Sequence, residues 1–136
     1  GEITTGVMHL NTLGKIVEEE WLRSAEIRPR LQLDSFVVMP NHLHGVLVIE
    51  DQSQGPAPAS REQFGKPTSD SIPTIVRLFK SSTTNRINRL RGTPRVAVWQ
   101  RNYYEHVIRS ESDWHKIREY IETNPLRWDK DPENSK

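Results

Sequence analysis

His42-Leu43-His44 is flanked by the apolar stretches Phe36-Val37-Val38-Met39 and Val46-Leu47-Val48-Ile49. Alternate side chains of a β-strand share a face, so the two imidazoles would stand on one side, about 7 Å apart at Cα. Neutral imidazole binds divalent ions well, and a strand would hold two of them toward one ion. The pair reads equally as two polar residues on an open sheet face. Tyr120 and Asn124 form a second pair, four residues apart and therefore one turn apart on one helix face. A phenol oxygen is a nucleophile, and an asparagine carbonyl is a hard ligand suited to Mg²⁺ or Mn²⁺. Set against the histidines, they complete the parts of a metal-assisted phosphoryl transfer, in which the phenol attacks a polarised phosphate in line. Taken alone, Tyr120 reads as an amphipathic helix residue with a wet hydroxyl, and Asn124 as a helix C-terminal signal.

A third feature is electrostatic. The formal net charge is only +1, yet Ser71 to Tyr104 contains no Asp or Glu and carries Arg77, Lys80, Arg86, Arg89, Arg91, Arg95 and Arg101. A one-signed stretch of this kind points to an anionic partner, most simply nucleic acid, or to a solvated basic face. Arg77, Lys80, Arg86, Arg89, Arg91 and Arg101 are candidates for backbone phosphates, with salt-dependent binding. Tyr103, Tyr104 and Trp99 have rings able to stack on unpaired bases, although core packing fits Trp99 and one of the tyrosines. His106 is an auxiliary candidate at the metal or the leaving group, against a structural role on a strand.

The elements that must position these residues follow from periodicity. Leu10 to Leu22 has a helical period and ends before Pro29. Leu31 to Val38 and His42 to Glu50 read as a hairpin around Met39-Pro40-Asn41. Residues 51–70 read as a flexible polar loop. Ser71 caps a helix that Gly92 closes. Val96 to Ile108 reads as a strand with Tyr104, His106 and Ile108 on one face. A last helix runs from Ser110 or Ser112 to Thr123 or Asn124, where Pro125 stops it, and residues 129–136 read as a frayed tail. The expected class is α+β, a ferredoxin-like antiparallel sheet with helices on one or both faces, built as one domain over residues 1–128. Residues 1–7, short and with two glycines, do not supply the fold's first strand, so the chain is expected to begin inside its parent domain.

Met39-Pro40-Asn41-His42-Leu43-His44, Trp99 to Arg109 (WQRNYYEHVIR) and Tyr120-Ile121-Glu122-Thr123-Asn124-Pro125 occur in that order. Together they resemble the HUH-type single-tyrosine transposases, in particular the REP-associated tyrosine transposase branch, from about Leu10 to Trp128. The resemblance implies an enzyme that nicks and rejoins single-stranded DNA near hairpin or palindromic ends through a 5′-phosphotyrosine. It also implies His42 and His44 as metal ligands, Asn124 as the third, Mg²⁺ or Mn²⁺ as the ion, and Tyr120 as nucleophile. Lys80 falls in a Phe-Lys-Ser segment similar to the family's. Such an enzyme acts as a monomer or homodimer. The alternatives are a catalytically inactive DNA-hairpin binder and a metal-dependent hydrolase that uses water.

Other classes find less support. The chain has 136 residues, 34% hydrophobic content and a mean hydropathy of −0.72. No run approaches a membrane span, and no signal-peptide pattern opens the sequence. It has no cysteine, which removes thiolate metal sites and cysteine nucleophiles and agrees with an intracellular protein without requiring one; with the resemblance, the expected location is cytoplasmic, associated with DNA. No phosphate-binding glycine loop is present.

Overall fold

The structure, a computed structural model, describes residues 1–50 and 71–134. The loop expected at 51–70 and the last two residues of the expected tail lie outside the described residues. Thr5 and Gly6 have φ of 50° and 74°, the positive values of a two-residue type I′ turn. They fold the first residues into a hairpin of β1 (Glu2–Thr4) and β2 (Val7–His9), with Ile3 opposite Met8. A short hairpin thus forms over residues read as too short and glycine-bearing to supply the fold's first strand, with Gly6 in its turn. A Cβ on Gly6 would also lie 2.5 Å from Leu126 Cδ2, so the turn needs glycine for space as well as for φ.

Asn11 accepts from the Gly14 N–H at 2.9 Å and starts α1 (Thr12–Glu26), which runs a turn beyond the expected end. β3 (Leu31–Val38) and β4 (Leu43–Ile49) form the expected hairpin. Met39 N–H donates to His42 C=O at 2.8 Å and makes Pro40-Asn41 its two-residue loop. α2 (Ile72–Arg91) has the expected caps: Ser71 Oγ accepts from the Thr74 N–H, and Gly92 ends the helix at φ 67°. α3 (Glu111–Thr123) is capped by Ser110, whose Oγ accepts from the Asp113 N–H at 3.1 Å. Glu111 and Asp113 also place negative charge in its first turn, where the helix dipole favours it. A 3₁₀ segment, Pro125–Lys130, follows.

The class is α+β, with two separate two-stranded antiparallel sheets, β1–β2 and β3–β4. The strand expected over Val96 to Ile108 is not there; that segment has no regular structure. Its residues from Gln100 to Val107 are all exposed, and Tyr104 is 94% exposed, so it has no buried alternate face to fix it in a sheet. Arg95, at φ 69°, turns the chain just before it. The chain divides into two compact units: Gly1–Glu18 with Asp34–Val46 and Gln100–Lys136, and Glu19–Leu33 with Leu47–Trp99.

In the second unit the core is aromatic and aliphatic. Trp21 meets Phe79 edge-on at 5.1 Å, and Phe79 meets Trp99 at 5.5 Å. Ile75 and Ile87 are fully buried on the same helix as Phe79. Trp99 Nε1 donates to Thr83 Oγ1 at 2.7 Å, which anchors the chain as it leaves α2. No helix among the described residues is long and apolar enough to cross a membrane.

Candidate active site

The site lies within the first unit and begins at the hairpin loop. His42 and His44 point to one side of the hairpin, as strand alternation requires, with ring centroids 4.6 Å apart. Burial lowers the pKa of both imidazoles from the ordinary 6.5; in His44 the neighbouring His42 lowers it further. Asp131 and Glu133 oppose part of that shift in both. The rings are thus neutral near pH 7, the ligand form of histidine, while two carboxylates supply a potential that favours a cation.

α3 carries the other half. Asp34 on β3 accepts from Trp114 Nε1 and from Arg118 Nη2, the latter at 3.0 Å. The Arg118 guanidinium also lies 5.2 Å from the centre of the Trp114 ring. Trp114, Arg118 and Ile121 form one stripe of the helix, and Ile121 is only 2% exposed. Docked by this stripe, α3 brings the Tyr120 ring to 5.4 Å from His44. Tyr120 remains 45% exposed, so its ring touches His44 while solvent still reaches it. Eight residues on, Trp128 lies 6.1 Å from His42. The segment from Tyr120 to Trp128 therefore flanks both histidines, and Asn124 lies midway along it.

Two atoms here are exceptional. His42 Nε2 and Asn124 Oδ1 are buried, and neither has a hydrogen-bond partner among the described residues. An unmet buried polar atom costs about 1–3 kcal/mol, so a fold tends to retain one only where something else meets it. Two neutral imidazoles and an amide oxygen suit a divalent ion such as Mg²⁺ or Mn²⁺. Among the described residues no three His, Cys, Asp or Glu side chains group to hold a metal. By the chemistry of their donor atoms, His42, His44 and Asn124 are the residues that could hold such an ion.

The remaining expected site residues are placed elsewhere. Arg86 is bound by Glu19 at 2.8 Å and by the buried Glu20 at 2.9 Å, and these bonds raise its pKa. The acids missing from residues 71–104 are thus supplied by α1, and Arg86 fastens α2 to that helix. Arg77, Arg89 and Arg91 are exposed on α2, where Lys80 is half-buried. Arg101, Tyr103 and Tyr104 lie exposed on the irregular segment, so neither tyrosine is a core residue. Glu105 accepts from the Tyr103 hydroxyl at 3.3 Å; burial first, then Glu105, raises the phenol pKa. His106 pairs with Asp113 at 2.9 Å, about 10 Å along α3 from Tyr120 by helical rise.

Sequence reasoning missed Asn41, Trp128 and Asp34. Asn41 was legible only as a turn residue, and its position directly before the histidine pair was the available signal. Residues 129–134, expected to fray, instead fold back: Asn134 Nδ2 donates to Trp128 C=O, and Asp131 Oδ1 accepts from the Glu133 N–H.

The described residues thus form an α+β protein with a histidine pair and a tyrosine helix at one site. The chain is 40% identical to a protein of Haemophilus influenzae named only "Uncharacterized protein", over 96% of this chain and 74% of that one. It belongs to the same family as that protein. No family model matches the chain, and no solved structure matches it significantly.

Proposed function

We propose that the protein is a divalent-metal-dependent tyrosine transposase that cleaves and rejoins single-stranded DNA at hairpin or palindromic ends. The observation that carries this reading is the contact of Tyr120 with His44, beside a buried His42 Nε2 that has no hydrogen-bond partner among the described residues. The Tyr120 phenol oxygen attacks the scissile phosphorus and its proton passes to water. The phosphorus–O3′ bond breaks, leaving a 3′-hydroxyl and a 5′-phosphotyrosine. A bound Mg²⁺ or Mn²⁺ would supply polarisation of the phosphate. The new ester resembles the phosphodiester in energy, so attack by a 3′-hydroxyl reverses the step and rejoins a strand without a nucleotide cofactor. Arg77, Lys80, Arg89, Arg91 and Arg101 hold the DNA backbone, and the exposed Tyr104 stacks on an unpaired base.

The finer fold, a ferredoxin-like sheet, belongs to the same proposal. It needs further strands beside the β3–β4 hairpin, which the described residues do not form.

The test is incubation of labelled hairpin oligonucleotides with the protein and Mn²⁺, followed by a denaturing gel. A protein–DNA adduct that disappears with EDTA supports the transferase. Cleavage without an adduct points to a hydrolase, and binding without cleavage to an inactive hairpin binder.

A further inference from the structure

Asn41 sits in the two-residue loop beside His42 and forms two hydrogen bonds that constrain each other. Its Nδ2 donates to the backbone carbonyl of Glu133. A carbonyl only accepts, so this contact fixes which end of the amide is NH₂ and leaves Oδ1 facing the other way. Asn41 Oδ1 is 2.7 Å from His42 Nδ1. An amide oxygen also only accepts, so Nδ1 must carry the proton. In a neutral imidazole the other nitrogen is then a bare lone pair, and that nitrogen is the buried, unpartnered Nε2.

The carbonyl that begins this sequence is itself held. Asp131 N–H donates to Trp128 C=O at 3.1 Å, and Asp131 Oδ1 accepts from the Glu133 N–H at 2.8 Å. The same short segment thus places Trp128 beside the His42 ring and the Glu133 carbonyl beside Asn41.

We infer that Asn41 is a positioning residue that locks His42 as its Nδ1–H tautomer, so that the Nε2 lone pair is what the site presents to a divalent cation. The inference rests on the metal-site reading above for its purpose, and on the two hydrogen bonds for its geometry. Removal of such a partner from a metal-ligating histidine costs about 10–100-fold in metal affinity.

The experiment uses the full chain in two states. Long-range ¹H–¹⁵N correlation spectra of the metal-free protein report the tautomer of His42, and Mn²⁺ titration followed by electron paramagnetic resonance reports affinity. The wild type should show the Nδ1–H tautomer. Asn41→Ala should shift His42 toward the Nε2–H form and weaken Mn²⁺ binding by about tenfold or more. Asn41→Asp keeps an acceptor for Nδ1–H but loses the donor to the Glu133 carbonyl; it should keep the Nδ1–H tautomer, which separates the bond to the ring from the tie to Glu133. An Asn41→Ala protein that keeps the Nδ1–H signature, or binds Mn²⁺ as well as wild type, overturns the inference. A wild-type chain with the Nδ1–H tautomer and no Mn²⁺ binding overturns the metal reading and leaves the role of Asn41 standing.

Discussion

Buried polar groups are met differently beside α2 and beside the histidine hairpin. Around α2, Thr83 receives a hydrogen bond from Trp99 and gives one to Phe79 C=O, Asn88 ties down Val96 C=O and Thr93, and Glu20 holds Arg86. Around the histidine hairpin, His42 Nε2 and Asn124 Oδ1 are buried with nothing among the described residues to meet them. Satisfied groups stabilise and specify a core, whereas unmet ones tax it unless a ligand answers them. The first pattern is that of a scaffold; the second is what the metal site proposed above requires. That contrast carries more functional information than the basic composition of α2, whose Arg86 is occupied within the fold.

Substitutions that break the contrast should have effects that differ in kind. The largest falls on chemistry: Tyr120→Phe should abolish the covalent adduct and strand cleavage, leaving oligonucleotide affinity within about twofold, because the phenyl ring keeps the contact with His44. Gel shift and denaturing gel on the same samples separate the two. His42→Ala or Asn124→Ala should weaken Mn²⁺ binding by about a hundredfold or more, since each removes a ligand rather than its support. Each should also leave thermal stability unchanged or raised in the metal-free protein, because an unmet buried polar atom goes with it. Mn²⁺ titration and differential scanning calorimetry check the pair of outcomes.

The scaffold side should respond in stability alone. Thr83→Val leaves Trp99 Nε1 without its acceptor and should destabilise by about 1–3 kcal/mol in urea titration. Arg86→Ala leaves the buried Glu20 carboxylate with the more distant Arg23, at 3.9 Å. It should cost about 1–2 kcal/mol, between the surface and the buried limits for an ion pair. Arg89→Ala, on the exposed face, should leave stability unchanged and lower DNA affinity at moderate salt.

Much of this was legible in sequence for local reasons. Ser71, Pro73 and Gly92 announce α2 by capping chemistry, and Ser110 with Pro125 brackets α3. The histidine alternation and the four-residue spacing of Tyr120 and Asn124 are likewise local, so the candidate residues could be named before the fold was known. What stayed hidden depends on distant partners. Asp34 meets Trp114 and Arg118 across roughly eighty residues, and Asn41 meets Glu133 across about ninety. Glu19 and Glu20 neutralise Arg86 from another helix, which no inspection of residues 71–104 could show. Residues 96–108 read as a strand, yet residues 100–107 are exposed and bury no face.

The smallest expected effect is on pH dependence. Burial holds the His42 and His44 pKa values below the ordinary 6.5. Between those native values and 6.5, the unfolded chain binds more protons than the folded one. The stability contribution is therefore complete above 6.5 and is lost as pH falls through the native pKa values. Denaturant titrations of the metal-free protein should show this decline, and replacement of both histidines by Asn should flatten it.

The most direct measurement is the position of the covalent bond. After reaction with a hairpin oligonucleotide and Mn²⁺, nuclease trimming and proteolysis, mass spectrometry of the peptides should find a nucleotide phosphate on Tyr120. A nucleotide on Tyr103 or Tyr104, or cleaved DNA with no modified peptide, would contradict the assignment of Tyr120 as the nucleophile beside the histidine pair.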